Sequence, residues 1–391
     1  MLTWAQEVPP ALRQGLIETA RKSIALRPDL GAGWIALGNL LVESGQFEEA
    51  EQVASEAASR LAADARMHLL LANARENTGK IDAALTAAET ALALAPDDRE
   101  VQLRRFDLLV ASRRWDRVAG ELDAVTATAM ARRTVIQAHA HFAFANGNPE
   151  ALLSLCEAVL ARQPGHTFAL HQKAVALAML GRDAEARAVI GIDDFVVVGD
   201  LPLQDERIDG GGFLDTLAAE ILRNRTLVPD PRGKATRGGL QTRVLVQAGD
   251  KAMPLLIAKI RSAVERYVEA LPDARHPFVT TRPPLVQLKA WAVVYPQDGR
   301  QASHLHPGGW ISGVTYITAP RAAGTNAFSG PLVLGALDAE RHLDPPPWGT
   351  HNIEPMPGRI VLFPSFVPHA TEPTGLAEQR ICVAFDVEPP Q

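Results

Sequence analysis

A 34-residue period runs through the first half of the chain and restricts it to a stack of like units. Gly45, Gly79, Gly147 and Gly181 are spaced by 34, 68 and 34 residues, and Arg113 fills the position 34 after Gly79. Five residues beyond these markers stand Ala50, Ala84, Val118, Leu152 and Ala186, all able to pack. Pro28, Pro96 and Pro164 keep the same period, each near the end of a helical run. Small residues let paired helices approach, glycine permits the turn between them, and proline punctuates the exit. A unit of this length cannot bury its apolar face alone, so neighbours must stack into a solenoid with a concave surface.

Proline marks where the array ends. Only six of the 28 prolines precede residue 190, and 22 follow it. The chain therefore divides into a helical domain at 1–190 and a β-rich domain at 191–391. Residues 191–205 read as an opening strand; Gly212 to Leu222 and Ala252 to Leu271 carry helical spacing. Between those helices, Thr236 to Thr242 is polar and glycine-rich, readable as a solvated loop or as a segment touching substrate. From Pro284 onward strands dominate, at Leu285 to Tyr295, Pro331 to Leu334, Ile353 to Pro355, Arg359 to Phe363 and Arg380 to Val387. Short strands, two helices in front and many turn prolines predict a barrel-like sandwich rather than a βαβ sheet.

A net charge of −6 and a pI near 6.0 argue against a nucleic-acid binder, which needs a basic surface. No run of about 18 apolar residues predicts a membrane span, and the first residues lack the basic and apolar segments of a secretory signal. Cys156 and Cys382 lie far apart, without metal-type spacing, as expected of a reduced cytoplasmic protein.

The chemistry concentrates at His304 and His306, two residues apart in what reads as a strand, where i and i+2 share a face. His369 follows the apolar run from Ile360, and Arg380 opens the next strand eleven residues later. Neutral imidazoles suit iron, zinc, copper and nickel. His276, His342 and His351 read as structural. Arg380 shares an alternation face with Cys382 and Ala384, and a cation inside a barrel is costly unless it meets an anion. A carboxylate-bearing cosubstrate would answer that need; pairing with Asp386 or Glu378 is the plainer alternative.

Two resemblances follow from these residues. Ala32 to Gly38 and Gly45 to Ala50 resemble the tetratricopeptide repeat, over roughly residues 10–190. His304-x-His306, then Ser312-Gly313-Val314-Thr315-Tyr316, then Gly358 to Ser365 with His369, then Arg380 before Phe385-Asp386-Val387, resembles the Fe(II)/2-oxoglutarate-dependent oxygenases of the prolyl-hydroxylase type, over roughly 195–390. Trp291 and the Thr236 to Thr242 segment also look like that family. The layout is similar to the aspartyl/asparaginyl β-hydroxylases, which pair the same two kinds of domain.

The resemblance implies a double-stranded β-helix (a jelly-roll, cupin-like fold) with flanking helices behind the tetratricopeptide solenoid. It implies Fe(II), 2-oxoglutarate and O2 as cofactors, and hydroxylation of a C–H bond with release of succinate and CO2. His304 and His369 match metal ligands, Arg380 the residue that holds the distal carboxylate of 2-oxoglutarate, and Tyr316 and Thr315 a strand that adds a hydroxyl contact. His306 stands where many members carry Asp or Glu, so a site of three neutral histidines is one negative charge poorer. Ligation by two histidines and water, or by His306 and His369 without His304, are the alternatives. The repeats suggest a peptide or protein substrate, a separate partner or a homodimer. A zinc hydrolase or lyase on three histidines, and a non-catalytic scaffold with a degenerate barrel, are the rival readings.

Overall fold

The computed structural model describes residues 2–4, 10–203, 212–230, 234–272, 275–321, 324, 327–337, 343 and 345–390. His342 lies outside these residues. Eleven helices come first: α1 (Pro10–Leu26), α2 (Gly31–Glu43), α3 (Phe47–Arg60), α4 (Ala65–Asn77), α5 (Ile81–Leu94), α6 (Arg99–Ala111), α7 (Trp115–Ala129), α8 (Arg133–Asn146), α9 (Pro149–Arg162), α10 (Thr167–Met179) and α11 (Asp183–Ile190). The first helix of each pair begins at 31, 65, 99, 133 and 167, so the period in sequence is the period in space. Asp64 and Asp98 cap α4 and α6 through their carboxylates, satisfying the free N–H groups of the first turn. Ala50, Ala84, Val118, Leu152 and Ala186 are all fully buried.

The turn within each pair needs a left-handed residue. Gly45, Gly79, Gly147 and Gly181 take φ of 69°, 77°, 62° and 69°, and Arg113 is forced to 55° at the equivalent place. A side chain there costs on the order of 1–2 kcal/mol, and glycine's larger unfolded-state entropy returns part of the difference. Arg113→Gly is therefore expected to stabilise residues 6–138 by about 1 kcal/mol. Thermal unfolding checks this, and an unchanged or lower Tm would refute it.

Compactness divides the chain inside α8, into residues 6–138 and residues 1–5 with 139–391. The boundary at 190/191, where helix pairs give way to strands, is retained as a proposed limit of the repeats. In the second unit the last helices pack on the β structure: Thr167 Oγ1 donates to Gly309 O at 3.1 Å, and His276 Nε2 meets Val189 O at 3.0 Å.

The strands are β1 (Leu2–Trp4), β2 (Val197–Asp200), β3 (Leu227–Pro229), β4 (Thr236–Arg237), β5 (Leu240–Thr242), β6 (Val286–Tyr295), β7 (Arg300–His304), β8 (Ile311–Thr318), β9 (Leu332–Leu334), β10 (His351–Ile353), β11 (Arg359–Pro364), β12 (His369–Thr371) and β13 (Arg380–Glu388). One sheet runs β2-β11-β8-β13-β6-β5-β3 with β1 beside β6, and the other runs β10-β9-β12-β7-β4. Among the described strands every pairing is antiparallel except β1 with β6. This is the expected double-stranded β-helix, flanked by Phe213–Leu222 and Met253–Glu269 as α13 and α14 after the short turn Ile192–Phe195, α12. The expected opening strand is thus shorter than 191–205. Thr236 to Thr242 is not a solvated loop: Thr236, Gln241 and Thr242 are buried, and β4 and β5 pair into different sheets. Among the described residues no helix is long and apolar enough to cross a membrane.

Candidate metal centre and anion pocket

The two sheets bring together residues that the sequence scatters over ninety positions. On the small sheet, His369 opens β12 directly opposite His304 at the end of β7. His306 lies two residues past the end of β7, outside any strand. Its place is set by its own N–H donating to Ser365 O at 3.1 Å and by a turn that returns Gly309 N–H to His306 O at 3.0 Å. His304 and His306 therefore converge through a turn after β7, and not through a shared face of one continuous strand as expected. His369 likewise belongs to a new strand after a turn at 365–367, not to the end of β11.

Ring centroids lie 4.2 Å apart for His304 and His369, 5.1 Å for His304 and His306, and 5.2 Å for His306 and His369. One nitrogen from each ring falls within 4.8 Å of the others, a spacing fit for one ion. The Nδ1 atoms are all committed to acceptors: Ala302 O at 2.8 Å for His304, Asp386 Oδ2 at 2.7 Å for His306, and Val367 O at 3.2 Å for His369. An acceptor on Nδ1 places the proton there and leaves the Nε2 lone pair free, as a metal requires. Burial, and next the neighbouring imidazoles, push His369 well below its ordinary pKa. Burial first, then His306, lowers His304 to about 4. At neutral pH both rings are thus held in the uncharged form that ligates.

Arg380 sits at the other end of the same cavity, which holds about 470 Å³ of open space including its mouth. It is 1% exposed, and its guanidinium lies 4.4 Å from the centroid of Tyr295. Nη1 donates to Gly330 O and to Glu372 O, the latter at 3.2 Å. Gly330 has φ +78°, and a Cβ there would meet Nη1 at 2.5 Å, so only glycine admits the guanidinium. Nε and Nη2 have no partner, nor has the buried hydroxyl of Tyr316. Leaving such donors unpaired costs about 1–3 kcal/mol each unless a ligand meets them.

The plainer expectation for Arg380 is overturned: among the described residues neither Asp386 nor Glu378 forms an ion pair with it. Asp386 instead binds His306, while its other oxygen accepts from Ser312 Oγ at 2.7 Å, and Ser312 Oγ lies 2.9 Å from Ser365 Oγ. Sequence reasoning gave Asp386 no role at the metal, although it continues the face of Arg380, Cys382 and Ala384. Tyr316 lines the cavity, as does Trp291, whose indole stacks on His306 at 5.8 Å and 19°. Thr315 is not among the lining residues; strand alternation turns it away while Tyr316 faces in. His276 caps a short turn and is half-buried, its Nε2 on Val189 O, in keeping with a structural histidine, and His351 is exposed and outside the cavity.

Residues 289–386 match the family described as "Putative 2OG-Fe(II) oxygenase", and residues 65–98 match the tetratricopeptide repeat. Fe(II), 2-oxoglutarate and O2 are that family's cofactors, and the three-histidine cluster fits iron. Among solved structures the chain is similar to a prolyl-4-hydroxylase of Pseudomonas putida, with 17% identity and a TM-score of 0.36 over 52% of this chain and 99% of that one. It is similar also to a prolyl hydroxylase from Trichoplax adhaerens in complex with a hypoxia inducible factor peptide fragment, with 13% identity and a TM-score of 0.36 over 54% and 91% of the two chains. A tetratricopeptide repeat protein from Parabacteroides merdae gives 18% identity and a TM-score of 0.38 over 45% and 70%. No curated protein gives a significant match.

Proposed function

We propose that this chain, which joins tetratricopeptide repeats to a 2OG-Fe(II) oxygenase domain, hydroxylates a C–H bond of a peptide or protein substrate. The observation that carries the reading is the pair of unpartnered guanidinium nitrogens and the unpartnered phenol in one cavity with three Nε2-presenting histidines. His304, His306 and His369 would hold the iron, and Arg380 with Tyr316 would hold the far carboxylate of 2-oxoglutarate. When bound, iron with 2-oxoglutarate and O2 supplies the oxidising chemistry, releasing succinate and CO2 as the substrate gains an oxygen. The protein's own part is orientation and dryness. Arg380 offers a fixed fork of donors, Trp291 covers one face of His306, and Phe363 abuts the edge of His369. A zinc hydrolase would use the histidines but leave the orphan donors of Arg380 without purpose.

The test is anaerobic addition of Fe(II) and 2-oxoglutarate. A visible charge-transfer band is expected, followed in air by succinate and by peptides one oxygen heavier in mass spectrometry. No band and no succinate would sink the reading, and a zinc-dependent hydrolysis indifferent to 2-oxoglutarate would replace it. The repeats support a peptide or protein substrate through their concave surface, with a second copy of the chain as the alternative occupant.

A further inference from the structure

A three-histidine iron site lacks the negative charge of a carboxylate ligand, yet a carboxylate stands directly behind one of the rings. Asp386 Oδ2 is 2.7 Å from His306 Nδ1, the two side chains being 11% and 18% exposed. No lysine or arginine among the described residues pairs with Asp386; Lys289, opposite it on β6, reaches Glu388 instead. A buried carboxylate without a cation is costly. What Asp386 has is an imidazole, whose far nitrogen faces the centre of the cluster. Ser312 donates to the other carboxylate oxygen and is itself backed by Ser365, which fixes the carboxylate's aim. Ser365 is anchored by its backbone N–H, which donates to Trp310 O at 3.0 Å, and its hydroxyl fills the space that a side chain at Gly309 would need.

We propose that His306 and Asp386 act together as the anionic member of the ligand set, Asp386 lending its charge to the metal through the imidazole it hydrogen-bonds. Asp386 is then a positioning residue: it touches neither metal nor substrate and works by fixing the His306 tautomer and the aim of its Nε2. The proposal rests on the oxygenase reading for the identity of the ion, but it is tested on the metal alone.

Calorimetric titration of the metal-free full chain with Co(II), without 2-oxoglutarate, is the experiment. Asp386→Asn keeps the shape and removes the charge, and is expected to weaken Co(II) binding about 10–100-fold. Adding His306→Asp to that variant returns a carboxylate to the site directly, and is expected to recover the wild-type affinity to within about threefold. A purely structural role for Asp386 would not be rescued by a change at 306. Affinity of Asp386→Asn within about threefold of wild type, or a double variant no tighter than the single one, would overturn the proposal. Should Asp386→Asn not fold, nitrogen NMR of the wild type with Zn(II) decides. His306 Nε2 is expected to shift together with those of His304 and His369 while Nδ1 keeps its proton, and an unmoved His306 Nε2 overturns the proposal. Loss of the 2-oxoglutarate band with Co(II) affinities as expected would instead fall on the oxygenase reading.

Discussion

His369→Ala is expected to abolish iron binding and succinate formation together. His369 is 5% exposed and shares the narrowest ring separation in the cluster, 4.2 Å to His304. Removing it leaves two imidazoles and a gap that opens toward Phe363. Loss of an outer partner typically costs 10–100-fold in metal affinity, so loss of a ligand should exceed that, at roughly 10³-fold. The metal-free protein should survive the change. Burial already disfavours the charged form of His369, so the substitution removes a desolvated polar group and not a charge. Calorimetry with Fe(II) under anaerobic conditions measures the loss, and His351→Ala, outside the cavity, is the matched control. Full iron affinity in His369→Ala would show that the cluster is not the metal site.

Arg380→Ala should separate cosubstrate from metal. Two free donors on a guanidinium, each worth about 1.5–3 kcal/mol to a charged acceptor, convert to a rise of at least about 100-fold in the 2-oxoglutarate requirement. Fe(II) affinity should stay within about threefold, because Arg380 touches none of the three rings. Arg380→Lys should recover little, since an ammonium lacks the fork and the flat face that rests on Tyr295. Steady-state kinetics against 2-oxoglutarate, paired with metal titration, reads both quantities. Metal and cosubstrate binding falling together would refute the division of labour drawn between the two ends of the cavity.

The sequence carried the helical array almost completely, because a 34-residue period states both the element and its spacing. Even Arg113 was placed, through its position in a glycine series. The cavity was legible in part. His304, His369 and Arg380 could be picked out because imidazoles and a buried-phase arginine are rare and chemically loaded. What sequence could not give was register. Thr315 and Tyr316 are neighbours on β8, and only the pairing of Tyr316 with Cys382 across the ladder tells which of them faces inward. His306 reaches the cluster through a turn after β7 that imitates the two-residue step of a strand, and no local sequence signal tells the two apart. Asp386 was visible on the right alternation face, but its partner stands 80 residues away in the chain. That α9 to α11 belong with the barrel left no local mark at all, because their helical periodicity is the same as that of the helices before them.

β13 carries Arg380 at its first residue and Asp386 near its end, so one strand would serve both the proposed anion end and the proposed metal end of the cavity. It lies between β6 and β8, with ladders along nearly its whole length on both sides. A slip of one residue would turn both side chains to the outer face, and two neighbouring strands hold it against any such slip. Neither end of the site can therefore be switched off by moving this strand while the other is kept. Separate control of the two ends would have to act through other elements, either β7 and β12, which carry His304 and His369, or the loops at Pro307 to Trp310 and around Gly330.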